Sequence, residues 1–194
     1  MRFFTTEGPV RPDDHYSLPP LSRWDLDEIL GLIDQKKYFL LHAPRQTGKT
    51  SCLLALMEYL NRDGRYRAVY ANIEAAQAWR EQIEPAMATI CSVLGRAAHT
   101  SLGDTRLLEW QRDQGAQVAA GDRLTALLEY WAGMDRRPAV LLLDEVDALI
   151  GDTLISLLRQ LRAGYPQRPT AFPQTIILCG VRDLRDYRIH ASSE

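Results

Sequence analysis

The sequence predicts an α/β fold in three layers, a mostly parallel sheet with helices on both of its faces. Three observations predict it. Short apolar runs begin near Tyr38, Ala68, Ala139 and Thr175. The segments between them carry apolar residues at three- and four-residue spacing, the period of a half-buried helix. A tight Gly-Lys-Thr turn joins the first run to the helix after it. Strands that alternate with helices pair in parallel through right-handed crossovers.

Residues 1–21 hold Gly8, Pro9, Pro12, Pro19 and Pro20, an extended arm rather than a helix. The rest, 22–194, is expected to be one core, and no internal repeat is evident. Ser22 is placed to cap a helix reaching Ile33, with Leu26, Ile29, Leu30 and Ile33 on one stripe. The first strand is expected over 38–42. The next helix runs to Leu60, with Asn61 and Gly64 to end it. A second strand follows over 68–73. Trp79, Ile83, Met87, Ile90 and Leu94 then recur at helical spacing. Pro85 falls inside that stripe and predicts a kink or a fresh helix start. Residues 99–121 are rich in Gly, Asp, Arg and Gln around an apolar patch at Leu107, Leu108 and Trp110, the pattern of an insertion. A helix over 122–133 carries Leu124, Leu127, Leu128 and Trp131 on one face. Past the third strand, Asp152 is placed to cap a helix with Leu154, Leu158 and Leu161. Gly164, Pro166, Pro169 and Pro173 make the loop before the fourth strand.

The chemistry concentrates in Ala43-Pro44-Arg45-Gln46-Thr47-Gly48-Lys49-Thr50, followed by Ser51. A loop between a strand and a helix start presents backbone N–H groups and the positive helix end to a polyphosphate. Gly48 lets the backbone approach without a Cβ. Lys49 is expected at the β- and γ-phosphates, and the Thr50 hydroxyl on Mg²⁺. Ala43 stands where such loops usually open with Gly. The run from Ala139 to Leu143 ends in Asp144-Glu145, adjacent carboxylates at the end of a strand buried on both faces. Asp144 is expected to hold Mg²⁺ and Glu145 to polarise an attacking water. The last strand ends in Cys179-Gly180-Val181-Arg182-Asp183, which makes Arg182 a candidate phosphate sensor.

The chain has 194 residues, 46% hydrophobic and 25% charged, enough for a sizeable core. A net charge of −2 gives no global pull toward nucleic acid or an anionic membrane. Cys52, Cys91 and Cys179 lie in apolar surroundings without paired spacing, as buried thiols of a reducing compartment do. The four histidines form no metal-ligand pattern with them. No run is long enough to span a membrane and the first residues lack signal-peptide anatomy, so the expected place is the cytoplasm.

On these motifs the chain resembles the AAA+ ATPases, and within them the prokaryotic AAA-like ATPases near the STAND and origin-recognition branches. The likeness rests on the arm from Gly8-Pro9-Val10 through Tyr16 to Arg23, on the loop Pro44 to Thr50, and on Asp144-Glu145-Val146-Asp147 with the Cys179 to Asp183 strand end. It implies a P-loop NTPase sheet in the order five-one-four-three-two. It also implies an adenine nucleotide lead-in along the arm, ATP with Mg²⁺ as the bound species, and a Walker A and Walker B pair. Ala43 through Ser51 become the nucleotide-binding residues, Thr50 and Asp144 the metal residues, Glu145 the catalytic base and Arg182 the sensor. An arginine finger from a neighbouring molecule would come from the region of Arg159, Arg162 and Arg168, with nothing to choose among them. The family continues into a fifth strand and a helical lid beyond the last strand found here.

The expected activity is hydrolysis of Mg-ATP to ADP and phosphate. Alternatives are a nucleotide-dependent switch or scaffold with little catalysis, and an ATPase serving DNA transposition or replication. The expected partners are ATP and ADP, with a second copy or an effector protein. No basic stripe or helix-turn-helix points to nucleic acid.

Overall fold

The computed structural model describes residues 3–4, 11, 13–16 and 18–181. Within them lie strands β1 (Phe39–His42), β2 (Arg67–Asn72), β3 (Ala139–Asp144) and β4 (Thr175–Gly180). The α-helices are α1 (Leu26–Asp34), α2 (Lys49–Asp63), α3 (Ile83–Leu102), α4 (Arg106–Asp113), α5 (Ala120–Gly133) and α6 (Gly151–Ala163). The strands form one all-parallel sheet in the order β1-β4-β3-β2. The alternation of elements predicts the parallel sheet, and the order one-four-three-two is the one that the family resemblance implies for a P-loop NTPase. Among the described residues β1 pairs on one side only, with β4.

Side-chain alternation along the strands builds two cores. Val140, Leu142, Ile177 and Cys179 face one way and pack with Ile29 and Ile33 of α1 and with Leu53, Leu56 and Leu60 of α2. Leu141, Leu143, Val69, Ala71 and Ile176 face the other way, against α3 to α6. Every residue of β3 is buried, because helices cover both of its faces.

Helix starts depart from the sequence expectation where local hydrogen bonding intervenes. Pro20–Arg23 forms a short 3₁₀ turn, and the Ser22 hydroxyl donates to Pro19 O at 2.7 Å. Ser22 is therefore not the cap of α1. Asp25 is, its carboxylate accepting Glu28 N at 3.0 Å. Asp152 caps nothing either. It lies in the first turn of α6, whose N-cap is Ile150. Gly64 ends α2 in the left-handed conformation, as expected, while Asn61 stays inside the helix and binds both backbone groups of Ala68.

Around Pro85 the second alternative holds. Glu74–Trp79 is 3₁₀, the chain breaks at Arg80–Gln82, and α3 begins at Ile83, so Pro85 sits in a first turn where its missing N–H has no intrahelical use. Trp79 leaves the apolar stripe. It is exposed, and its indole N–H donates to the Thr89 hydroxyl at 2.8 Å. In the polar stretch that follows, Leu107 and Trp110 of α4 are buried against the α3–α5 side of the sheet. Buried Gln160 of α6 ties that helix to α5, accepting Leu124 N at 2.8 Å and donating to Ala120 O at 3.1 Å.

Candidate functional site at the phosphate loop and the acidic strand end

The loop between β1 and α2 starts at the carboxyl end of the sheet, where open α/β folds bind ligands. Its backbone is turned by two left-handed residues, Gln46 with φ 60° and Gly48 with φ 81°. Ala43 is absent from the residues of positive φ, so this position does not need the conformational freedom of glycine. Ala43 N bonds Gly180 O at 3.4 Å, holding the loop to the tip of β4. The Thr47 hydroxyl closes the loop on Pro44 O at 2.8 Å. Gly48 is the N-cap of α2 and supplies no side-chain acceptor, so the first N–H groups of this 15-residue helix meet no capping side chain. Uncapped donors at a long helix start fit an anion. The Lys49 ammonium lies folded on the loop, donating to Ala43 O at 2.7 Å and Pro44 O at 2.9 Å.

The acidic strand end meets this loop. The Thr50 hydroxyl donates to Asp144 Oδ2 at 2.8 Å, so two residues far apart in sequence and both expected at a metal are in contact. Asp144 is wholly buried. Its Oδ2 also accepts the Tyr70 hydroxyl at 2.9 Å, and its Oδ1 accepts Glu145 N at 3.0 Å. Burial, and then the Asp144 carboxylate, push the Tyr70 phenol far up, so it remains a donor. The same two causes push the Cys179 thiol far up, and it stays protonated. Thr50 and Asp144 together offer hard oxygen atoms, the donors Mg²⁺ prefers, and Mg²⁺ ordinarily completes its shell with water and substrate phosphate. No group of three or more His, Cys, Asp or Glu among the described residues forms a metal cage without such help.

Glu145 is a non-glycine residue in the left-handed region, at φ 59°. Strain of this kind concentrates at functional positions. Its carboxyl group is raised above the usual range by burial first, then by Asp144, Asp147 and Glu74, while the Lys49 charge draws it partly back.

A family model described as an AAA domain matches residues 33–187. The chain belongs to this AAA domain family. The match takes in the loop, the acidic strand end and all four strands of the sheet. A search of curated proteins gives no match.

Three residues to which the sequence gives no role join the site, Tyr70 and Asp147 within the AAA domain and Arg23 ahead of it. Tyr70 does so because β2 pairs in register with β3, Asn72 opposite Asp144. Asp147 locks the tip of β4: its Oδ2 accepts Val181 N at 3.0 Å, and a Cβ on Gly180 would lie 2.8 Å from its Oδ1. Arg23 lies against the phosphate loop, its Nη1 standing 2.5 Å from where a Cβ of Gly48 would be. Arg182 lies outside the described residues. Arg159 and Arg162 are exposed on α6. Arg168 is engaged within the chain, its guanidinium 3.3 Å from the centre of the Tyr165 ring and bonded to Tyr165 O at 2.8 Å. No described helix is long and apolar enough to cross a membrane.

Proposed function

We propose that this AAA domain binds ATP with Mg²⁺ and hydrolyses it to ADP and phosphate. The observation that carries the proposal is the 2.8 Å hydrogen bond from Thr50 to Asp144, which brings the loop and the acidic strand end to one point. The uncapped start of α2 and the backbone from Ala43 to Ser51 are suited to receive the polyphosphate. Lys49 would leave the carbonyls of Ala43 and Pro44 for the β- and γ-phosphates. Arg23, already against Gly48, would add a second positive charge there. Thr50 Oγ1 and Asp144 Oδ2 would hold the metal, which when bound neutralises charge on the phosphate oxygens. Tyr70 would keep Asp144 oriented. In the reaction a water oxygen attacks the γ-phosphorus, the bond to the β–γ bridging oxygen breaks, and Glu145 takes the water proton. Its raised carboxyl is a better proton acceptor than an ordinary Glu once ionised. Arg182 is the proposed sensor of the γ-phosphate. Adenine is preferred on the family likeness, and a second copy or an effector protein is the expected recipient of the nucleotide signal.

The test is equilibrium binding and turnover in two variants. Lys49→Ala should lose most ATP affinity, and equal affinity in wild type and variant removes the loop from the site. Glu145→Gln should keep ATP binding and lose turnover by about 100-fold or more, the usual worth of a general base. Full turnover in that variant excludes Glu145 as the base. A wild-type single-turnover rate no faster than uncatalysed hydrolysis makes the domain a nucleotide switch instead.

A further inference from the structure

At the amino end of the strands, about 20 Å along the sheet from the phosphate loop for strands of this length, lies a second polar cleft. Its volume is about 560 Å³, within the range of small-molecule sites, and it is lined mainly by polar atoms from the ends of β2, α3 and α4 and the turn before β3. Its charges are the guanidinium groups of Arg67, Arg106 and Arg137 and the carboxylates of Asp104 and Asp135, three positive against two negative. Two of the arginines are committed. Arg106 Nη2 meets Asp104 Oδ2 at 2.7 Å, and Arg137 Nη2 meets Asp135 Oδ2 at 2.7 Å.

Arg67 is different. It is 2% exposed, and a cation so buried is normally paired. Its Nη2 donates to Trp131 O at 2.7 Å and its Nε to Arg137 O at 3.5 Å, and Nε forms a long ion pair with Asp135 Oδ2 at 3.7 Å. Its Nη1 is buried with no hydrogen-bond partner among the described residues. A buried donor left unmade is costly unless a ligand satisfies it. Burial also lowers the pKa of Arg67, with Asp135 and Asp104 opposing that shift, so the five charges act as one cluster.

We propose that this cleft binds a small anionic molecule through a single phosphate or carboxylate group docked on Arg67. With Nε and Nη2 given to carbonyls of the chain, the two N–H groups of Nη1 are the donors left for an oxyanion, phosphate or carboxylate alike. The excess positive charge supplies attraction, and Asp104 and Asp135 limit it. The site is separate from the phosphate loop and does not depend on hydrolysis there.

The test is an NMR titration of the full ¹⁵N-labelled chain with inorganic phosphate and, separately, succinate, at constant ionic strength set by chloride. The probes are the Arg67 Nε–H signal and the amides of Gly103 and Thr105, with Gly48 and Lys49 reporting the phosphate loop independently. Arg67 itself is left intact, since its bond to Trp131 O supports folding. A saturable shift at Arg67 is expected. Asp104→Asn should tighten binding about threefold or more and Arg106→Gln should weaken it as much, the worth of one partly exposed charge. Lys49→Ala should leave the Arg67 titration unchanged. Saturation by phosphate alone or by succinate alone identifies the group recognised. An Arg67 signal unmoved by either anion overturns the proposal, as does a shift that grows linearly or ignores both rim substitutions.

Discussion

At the residue scale, the behaviour of the site turns on what holds Asp144. Thr50 and Tyr70 both donate to Oδ2 of a carboxylate that water does not reach. Tyr70→Phe removes one donor and little volume. If Tyr70 positions the metal-holding oxygen, the Mg²⁺ concentration giving half-maximal turnover rises about tenfold, as losses of outer-shell partners do. ATP affinity measured without Mg²⁺ should not change. An unaltered Mg²⁺ requirement would mean that the phenol only fills space. Glu145 makes a prediction in pH. Its carboxyl is raised, so the ionised base is lost at higher pH than for an ordinary glutamate near ~4.3. Turnover should therefore fall on acidification along a limb whose midpoint lies above that value. Asp147→Asn removes a neighbouring negative charge and should move the limb to lower pH. A pH–rate profile of the two proteins decides it.

At the element scale, a glycine inside one helix and a glycine that ends another have opposite consequences. Gly31 lies within α1, and a Cβ there would meet nothing within 4 Å. Gly31→Ala should stabilise the fold by about 0.5–1 kcal/mol, from helix propensity alone. Gly164 follows α6, and a Cβ there would run into the ring of fully buried Phe172. Gly164→Ala should destabilise by about 1–3 kcal/mol, the cost of overpacking. Urea unfolding of both variants tests the pair. The first helix shows why capping is harder to read than burial. Asp25 and Ser22 are both acceptable caps by residue type. Pro19 and Pro20 turn the chain first, Ser22 spends its hydroxyl on that turn, and the helix waits for Asp25.

At the scale of the whole molecule, the phosphate loop joins the segment before the first helix to the last strand. It touches Arg23 of the 3₁₀ turn and Gly180 of the last strand. A ligand that binds there and not to the unfolded chain stabilises the entire domain. Mg-ADP at about 100 times its dissociation constant should add roughly 2.7 kcal/mol, seen as a raised melting temperature. Lys49→Ala should abolish that rise while leaving the melting temperature without nucleotide nearly unchanged. A rise that survives in Lys49→Ala would place the nucleotide elsewhere.

The sequence by itself determined the order of the four strands and of the helices between them except α4, which lies in the stretch 99–121 read as an insertion, and it marked the loop from Ala43 to Thr50 and the acidic pair Asp144-Glu145. These features are local: spacing, apolar runs and turn chemistry write them into consecutive residues, and the family likeness then supplied the sheet order. Only the tertiary structure decided that Tyr70, Arg23 and Asp147 belong to the same place, and that Arg67 is buried with one donor unpartnered among the described residues. Those contacts depend on the register of β2 against β3 and on how a 3₁₀ turn lies across a loop. A tyrosine on a strand or an arginine after a proline turn carries no mark in its own neighbourhood of which distant oxygen or amide it will meet.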